Sequence, residues 1–222
     1  MKITFLSDTH SSQAWIPNDD IVGGDVIIHS GDFSIRGFSY EVDDFLSWFS
    51  SLNYTYKIFI AGNHDFLFQD NPTKARKILE KYPNVIYLQD SGFEIDGIKI
   101  WGSPWQPVFF NWAFNLPRKG DELLSKWKMI PGDTDILVTH GPPHGHLDHL
   151  PDGSMCGCEL LSDEVSKYIC PKIHVFGHIH NGYGTKNYNG TLFINASNLD
   201  GDYRYKNKPI NILIDDGKIS LI

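Results

Sequence analysis

A chain of 222 residues, 41% of them hydrophobic and 21% charged, is long and apolar enough to bury a sizeable core as one domain spanning residues 1–222. Its formal net charge of −8 argues against an extended nucleic-acid track, which needs a basic stripe. A small phosphate ligand stays open, because a metal centre reverses the field around it.

The N-terminal run ending at Leu6 turns polar too soon for a signal peptide, and no later stretch is long and apolar enough to span a bilayer. A cytoplasmic protein without a membrane partner is therefore expected. Ile3 to Leu6 reads as a buried strand ending in Ser7-Asp8-Thr9-His10, and Val26 to Ile28 as a second ending in His29-Ser30-Gly31-Asp32. Pro17, Asn18, Gly23 and Gly24 mark the loop between them. Val42, Phe45, Leu46, Phe49 and Leu52 recur at helical spacing over Tyr40 to Leu52. Lys57 to Ile60 is a third strand, ending in Ala61-Gly62-Asn63-His64-Asp65, and Pro72 and Pro83 bracket a helix over Thr73 to Lys81.

Beyond this point the pattern changes. Val85 to Leu88, Phe93 to Ile95 and Ile98 to Trp101 read as short strands, with Asp96-Gly97 as a hairpin turn. An aromatic segment runs from Trp101 to Phe114, and a helix is expected over Glu122 to Met129. Ile136 to Val138 is a buried strand ending in Thr139-His140-Gly141. A helix over Glu159 to Tyr168 precedes the strand Ile173 to Phe176, which ends in Gly177-His178-Ile179-His180. Two hairpins close the chain, around Asn189-Gly190 and Asp216-Gly217. Strand–helix alternation early and hairpins later predict two sheets packed face to face with helices outside, an α/β sandwich. In such sheets ligands gather beyond the carboxyl ends of strands, where each of these polar blocks lies.

His178 and His180 are two apart, so a continuing strand would send both imidazoles the same way, with Gly177 letting the chain bend. Two neutral imidazoles suit Zn, Fe, Mn or Ni, but make only half a site. A single Asp-x-His block is weak evidence, and one histidine at a strand end is more often structural than a ligand. Asp8-x-His10, Gly31-Asp32, Gly62-Asn63-His64-Asp65, His140-Gly141 and Gly177-His178-x-His180, each following an apolar run, make a far stronger signal together.

In these five blocks the chain resembles the calcineurin-like metallophosphoesterase superfamily, whose pattern is D-x-H, GD, GNH[DE], a lone H before small residues, then GHxH. The resemblance implies a four-layer α/β/β/α sandwich of two mixed sheets and a binuclear metal centre. By position, Asp8, His10 and His180 would bind one metal and Asn63, His140 and His178 the other, with Asp32 bridging. The charges agree with this. Dications about 3.5–4 Å apart repel and need a shared carboxylate and a bridging hydroxide between them, and two +2 ions against Asp8, Asp32 and that hydroxide leave a local charge of about +1 that attracts phosphate. The mixed N/O ligand set suits Mn, Fe, Zn or Ni almost equally, and Mn is the expected metal, with Fe, Zn, Ni, Co or Mg as alternatives. The resemblance makes His64 a phosphate contact and the proton donor to the leaving oxygen. Asp65 is expected to accept its imidazole N–H.

Trp101-Gly-Ser-Pro-Trp-Gln-Pro107, Phe110-Asn-Trp-Ala-Phe-Asn115, His140-Gly-Pro-Pro143 and the segment His174 to Gly184 are similar to the MPPED subgroup, itself similar to class III cyclic-nucleotide phosphodiesterases. Some members of that subgroup carry Gly where this chain has His178. The likeness implies hydrolysis of a small phosphodiester, a cyclic nucleotide first, by in-line attack of the bridging hydroxide. A phosphomonoesterase or protein phosphatase using the same centre is the enzymatic alternative, and a non-catalytic metal-binding scaffold the other. Trp105, Gln106, Phe110 and Asn115, in a loop where Pro104 and Pro107 oppose regular structure, either contact a base or simply pack. His144, His146, Asp148 and His149 crowd one loop and read as solvated residues ahead of an accessory metal site. His29 and His174 read as structural. Cys156, Cys158 and Cys170 fit neither a disulfide framework nor a zinc knuckle.

Overall fold

The computed structural model describes residues 1–222. In chain order it contains β1 (Lys2–Leu6), β2 (Gly24–His29), α1 (Ser39–Ser51), β3 (Tyr54–Phe59), α2 (Phe66–Asp70), α3 (Pro72–Leu79), β4 (Val85–Tyr87), β5 (Ser91–Ile95) and β6 (Ile98–Ser103). The short β7 (Gln106–Pro107) and β8 (Asn115–Leu116) follow, then α4 (Asp121–Trp127), β9 (Ile136–Thr139) and α5 (Glu159–Glu164). The last strands are β10 (Ile173–Phe176), β11 (Gly184–Tyr188), β12 (Thr191–Asn195), β13 (Ile210–Asp215) and β14 (Lys218–Leu221).

Two six-stranded mixed sheets result, ordered β14-β13-β1-β2-β3-β4 and β11-β12-β10-β9-β6-β5. In the first, β1 to β4 are parallel and β13 and β14 close one edge antiparallel. In the second, β12, β10, β9 and β6 are parallel, flanked by antiparallel β11 and β5. Strand periodicity sorts the side chains. Ile3, Phe5, Val26 and Ile28 face Ile136, Val138, Ile173 and Val175 in a cluster of 18 buried residues between the sheets. Leu6, Ile27 and Phe59 point the other way, onto Val42, Phe45 and Phe49 of α1 and Ile78 of α3. Leu137, Phe176 and Phe193 pack outward on Leu123 and Trp127 of α4 and Leu161 of α5. Each fully buried side chain of this size contributes about 1.5–3 kcal/mol over its exposed state. The layers are α/β/β/α, as expected.

The Glu41 carboxylate, three residues into α1, accepts N–H bonds from Phe38 (2.8 Å), Arg36 (3.2 Å) and Ile35 (3.3 Å), so it caps the helix and fixes the segment before it. Each predicted hairpin turn has two left-handed residues, Asp96-Gly97, Asn189-Gly190 and Asp216-Gly217, as a type I′ turn demands. Three details differ from expectation. A short helix, α2, follows the third strand. The α5 helix ends in a π turn over Val165–Ile169. And the prolines around residue 105 do not prevent pairing: Gln106 and Val108 donate to Phe114 O (3.0 Å) and Leu116 O (2.8 Å), while Pro107 falls between the two bonds, where no donor is needed. No helix is long and apolar enough to cross a membrane.

Candidate metal centre

The seven expected ligands lie beyond the carboxyl ends of five parallel strands: Asp8 and His10 after β1, Asp32 after β2, Asn63 after β3, His140 after β9, and His178 and His180 after β10. Asp8, His10, Asp32 and His178 hold positive φ angles of 53°, 41°, 55° and 66°. Left-handed backbone costs a non-glycine residue on the order of 1–3 kcal/mol and persists only where the surroundings impose it. Here the ladder continues past the strands to do so, with Asp8 N–H donating to Gly31 O and His10 N–H to Asp32 O, both at 3.0 Å. The bend expected at Gly177 belongs to His178 instead. Gly177 is needed for space, since a Cβ there would collide with the Asp8 carboxylate and the Ser7 hydroxyl.

That left-handed residue also breaks the strand period, so His178 and His180 do not aim at one point. His180 joins Asp8 and His10, whereas His178 joins Asp32 and His140, and in each trio the donor atoms lie within 4.8 Å of one another. His180 Nε2 is 3.6 Å from Asp8 Oδ1, and His140 Nε2 is 3.2 Å from Asp32 Oδ2 and 2.9 Å from Asn63 Oδ1. Asp32 Oδ2 also lies 3.8 Å from His10 Nε2, which places this carboxylate between the two trios. Nδ1 of His10, His140 and His180 meets the backbone carbonyls of Ser34 (3.3 Å), Ser30 (3.0 Å) and Asp200 (2.9 Å). Donating there leaves each Nε2 lone pair turned inward, the usual arrangement behind a metal ligand.

These residues fit a pair of divalent cations. Buried His10 Nε2 has no hydrogen-bond partner, and Asn63 Oδ1 and Asp32 Oδ2 both converge on His140 Nε2, at 2.9 and 3.2 Å. The charges tell the same story. Burial alone would raise Asp32, but His140, His64 and His10 hold its carboxyl well below the usual range. Burial likewise works against Asp8, and the His180 bond and charge outweigh it. Burial depresses His140, yet the Asp32 carboxylate lifts it to about 9, whereas His10 and His178 are pushed down to about 4 and about 3 by burial. Positive charge is therefore favoured on His140 and His180, beside the carboxylates, and disfavoured on His10 and His178.

Residues 1–182 match the family model for calcineurin-like phosphoesterases. The chain belongs to that family. The human metallophosphoesterase domain-containing protein 1 is 44% identical over 93% of this chain and 69% of its own length. Among solved structures, TT1561 of Thermus thermophilus superposes with a TM-score of 0.66 at 13% identity, covering 99% of this chain and 97% of its own. A novel archaeal phosphodiesterase does so at 0.52 and 16%, covering 100% and 99%. These two likenesses carry the fold. With the family's blocks and both ligand trios present, this phosphoesterase is a metal-dependent enzyme.

Beside the phosphoesterase ligands, His64 Nε2 sits 4.0 Å from Asp32 Oδ2, and its Nδ1–H donates to Ile35 O at 2.8 Å. Asp65 therefore does not orient His64, contrary to the expectation from sequence. Its side chain points under the centre, where Oδ2 accepts from Asp32 N (2.9 Å) and Gly62 N (2.7 Å), and Oδ1 from Ser34 N (3.0 Å) and Ser34 Oγ (2.6 Å). It clamps the loop after β2 to the loop after β3. Burial and the Asp32 charge push Asp65 up to about 8, against the pull of those donors.

A cavity of about 440 Å³ opens beside His178 and His180, bounded by Gln106, Phe109, Arg118 and Tyr203. Of the four expected wall residues, only Gln106 lines it. Trp105 turns to the core side, its indole N–H donating to Asp90 (2.8 Å) with Lys126 over its ring. Asn115 clips the loop by donating to Phe109 O and Phe110 O (3.1 and 3.0 Å), while Phe110 is 77% exposed and off the cavity. Two aromatic residues went unread in the sequence. Tyr203, at φ 60°, lays its ring against His10 and His180 (4.9 and 5.2 Å), and Trp112 stacks on His64 at 4.0 Å. Tyr203 follows the last motif block, and its place depends on a loop tied to His180 through Asp200 O.

The histidine-rich loop, expected to be solvated, is packed at His146 and Asp148, both buried. His146 stacks on Phe193 at 3.9 Å, Asp148 accepts from Gly145 N and Gly157 N to fold the loop, and no group of potential ligands includes them. His29 and His174 are buried and hold Thr9 (3.0 Å) and Thr139 (2.9 Å), in keeping with structural roles.

Proposed function

We propose that this phosphoesterase is a phosphodiesterase acting on a small phosphodiester, with cyclic nucleotides the first substrate class. The observation that carries the reading is one carboxylate, Asp32, which belongs to the His140–His178 trio and lies 3.8 Å from His10 of the other, beside a cavity of about 440 Å³. That volume suits a nucleotide-sized group. It gives the second ester substituent, which a monoester lacks, a place to lie beside the reacting phosphorus.

Asp8, His10 and His180 would hold one cation and Asn63, His140 and His178 the other, with Asp32 common to both and Mn the first metal to load. Bound there, the cations neutralise charge developing on the phosphoryl oxygens and lower the pKa of water toward ~7. The chain supplies the rest. His64 keeps its Nδ1–H on Ile35 O, so it is in the imidazolium form that it also carries a proton at Nε2, which passes to the departing oxygen. Phe109, apolar and 51% exposed, shields the substituent from water on the cavity side.

The test is turnover of bis-p-nitrophenyl phosphate against p-nitrophenyl phosphate by Mn-loaded protein, followed by 2′,3′- and 3′,5′-cyclic nucleotides. The diester is expected to be preferred. Preference for the monoester would overturn the reading.

A further inference from the structure

Trp112 is a large apolar side chain that belongs to none of the three buried clusters. Its indole lies face to face with the His64 imidazole, ring centres 4.0 Å apart and planes within 26°. The Arg36 guanidinium covers Trp112 at 4.8 Å from the ring centre. Both neighbours are built in. Ala113 N–H donates to Asn63 O at 3.0 Å, which ties the aromatic loop to the residue just before His64. Arg36 is held through its own N–H on Glu41, the residue that caps α1.

We infer that Trp112 is a positioning residue for His64, holding the imidazole in the plane that points Nε2 at the leaving oxygen. The inference rests on the role given above to His64. Without a neighbour on its face, an imidazole anchored only through Nδ1 can rock about that bond and swing Nε2 away. His10 meets the ring at 4.5 Å and 77°, a crossed contact that offers no flat restraint. The stacked indole supplies one. A misplacement of about 1 Å at a reacting group is enough to cost roughly 100-fold, and nothing else on that side of His64 supplies the restraint. The sandwich Arg36–Trp112–His64 also joins three separate loops, so the ring is held to the scaffold and not merely to its neighbour in sequence.

The experiment uses methyl aryl phosphates whose phenols run from p-nitrophenol to phenol, so that need for a proton donor rises along the series. Trp112→Ala should lose only a few-fold on the p-nitrophenyl ester and about 10- to 100-fold on the phenyl ester. Trp112→Phe, which keeps a flat face, should regain most of that loss and guards against a folding defect in the alanine variant. His64→Ala should show the same dependence more strongly, and His64→Ala with Trp112→Ala should be no worse than His64→Ala alone. Equal loss along the whole series, or a full Trp112 penalty in the His64→Ala background, would overturn the inference. If the wild-type enzyme prefers monoesters, the diesterase reading falls on its own, and the same phenols carried on aryl phosphates decide the role of Trp112.

Discussion

Asp65→Asn turns one acceptor into a donor at the clamp under the centre. Four donors converge on the native carboxylate, two on each oxygen. The best asparagine rotamer keeps its oxygen toward Asp32 N and Gly62 N and turns its amide toward Ser34. The Ser34 hydroxyl can rotate to accept, but the Ser34 N–H cannot. One buried N–H left unsatisfied costs about 1–3 kcal/mol, which is the net loss expected. Urea unfolding of the metal-free protein measures it directly. Manganese titration should show weaker binding, because Asp32 is one of the residues released. A loss below about 1 kcal/mol with unchanged metal affinity would refute the clamp and reopen a role for Asp65 at the His64 ring.

Further outcomes follow from the same geometry. Asp32→Ala and Asn63→Ala should each lose activity well beyond the roughly 100-fold that outer ligand partners cost, with unfolding midpoints little changed; wild-type activity in both would mean the centre is misassigned. Gly177→Ala should weaken metal binding at the Asp8 trio and lower stability by roughly 1–3 kcal/mol, and an unaltered metal stoichiometry and melting temperature would contradict the predicted collision. His29 and His174 are pushed down to about 3 by burial, against about 6.5 when unfolded. The unfolded chain therefore takes up protons that the folded chain refuses, so stability present above pH ~6.5 drains away as pH falls toward ~3, by about 2 kcal/mol per histidine between pH 7 and 5. Urea titrations at the two pH values read this, and His174→Gln should remove one histidine's share of the slope.

The strands feeding the centre were legible because each is a buried run cut off by a polar block, and the turns because Asp-Gly and Asn-Gly demand left-handed backbone. The ligand constellation was legible for the same reason: spacing within a block and order along the chain survive in one dimension. Direction was not. His178 and His180 looked like neighbours on one strand face, and only the 66° φ at His178 sends them to different trios. Asp65 follows His64 directly, yet its side chain serves the loop after β2. The aromatic segment was hardest, since β7 and β8 decide which of Trp105, Phe109, Phe110 and Trp112 faces what, and a ladder of this length leaves no periodicity to read. Trp112 was in plain view and gave no signal of its own.

Asp8 and His10 arrive from one sheet and His180 from the other, and Asn63 from the first sheet meets His140 and His178 from the second. Each trio is thus a rivet through the sandwich at its carboxyl edge. Divalent cations held by those side chains would stiffen the seam between the halves, and stripping them would let the layers part first at the rim where chemistry happens. Loading and mechanical integrity become one property, so a starved enzyme should fray from its working end before its core notices.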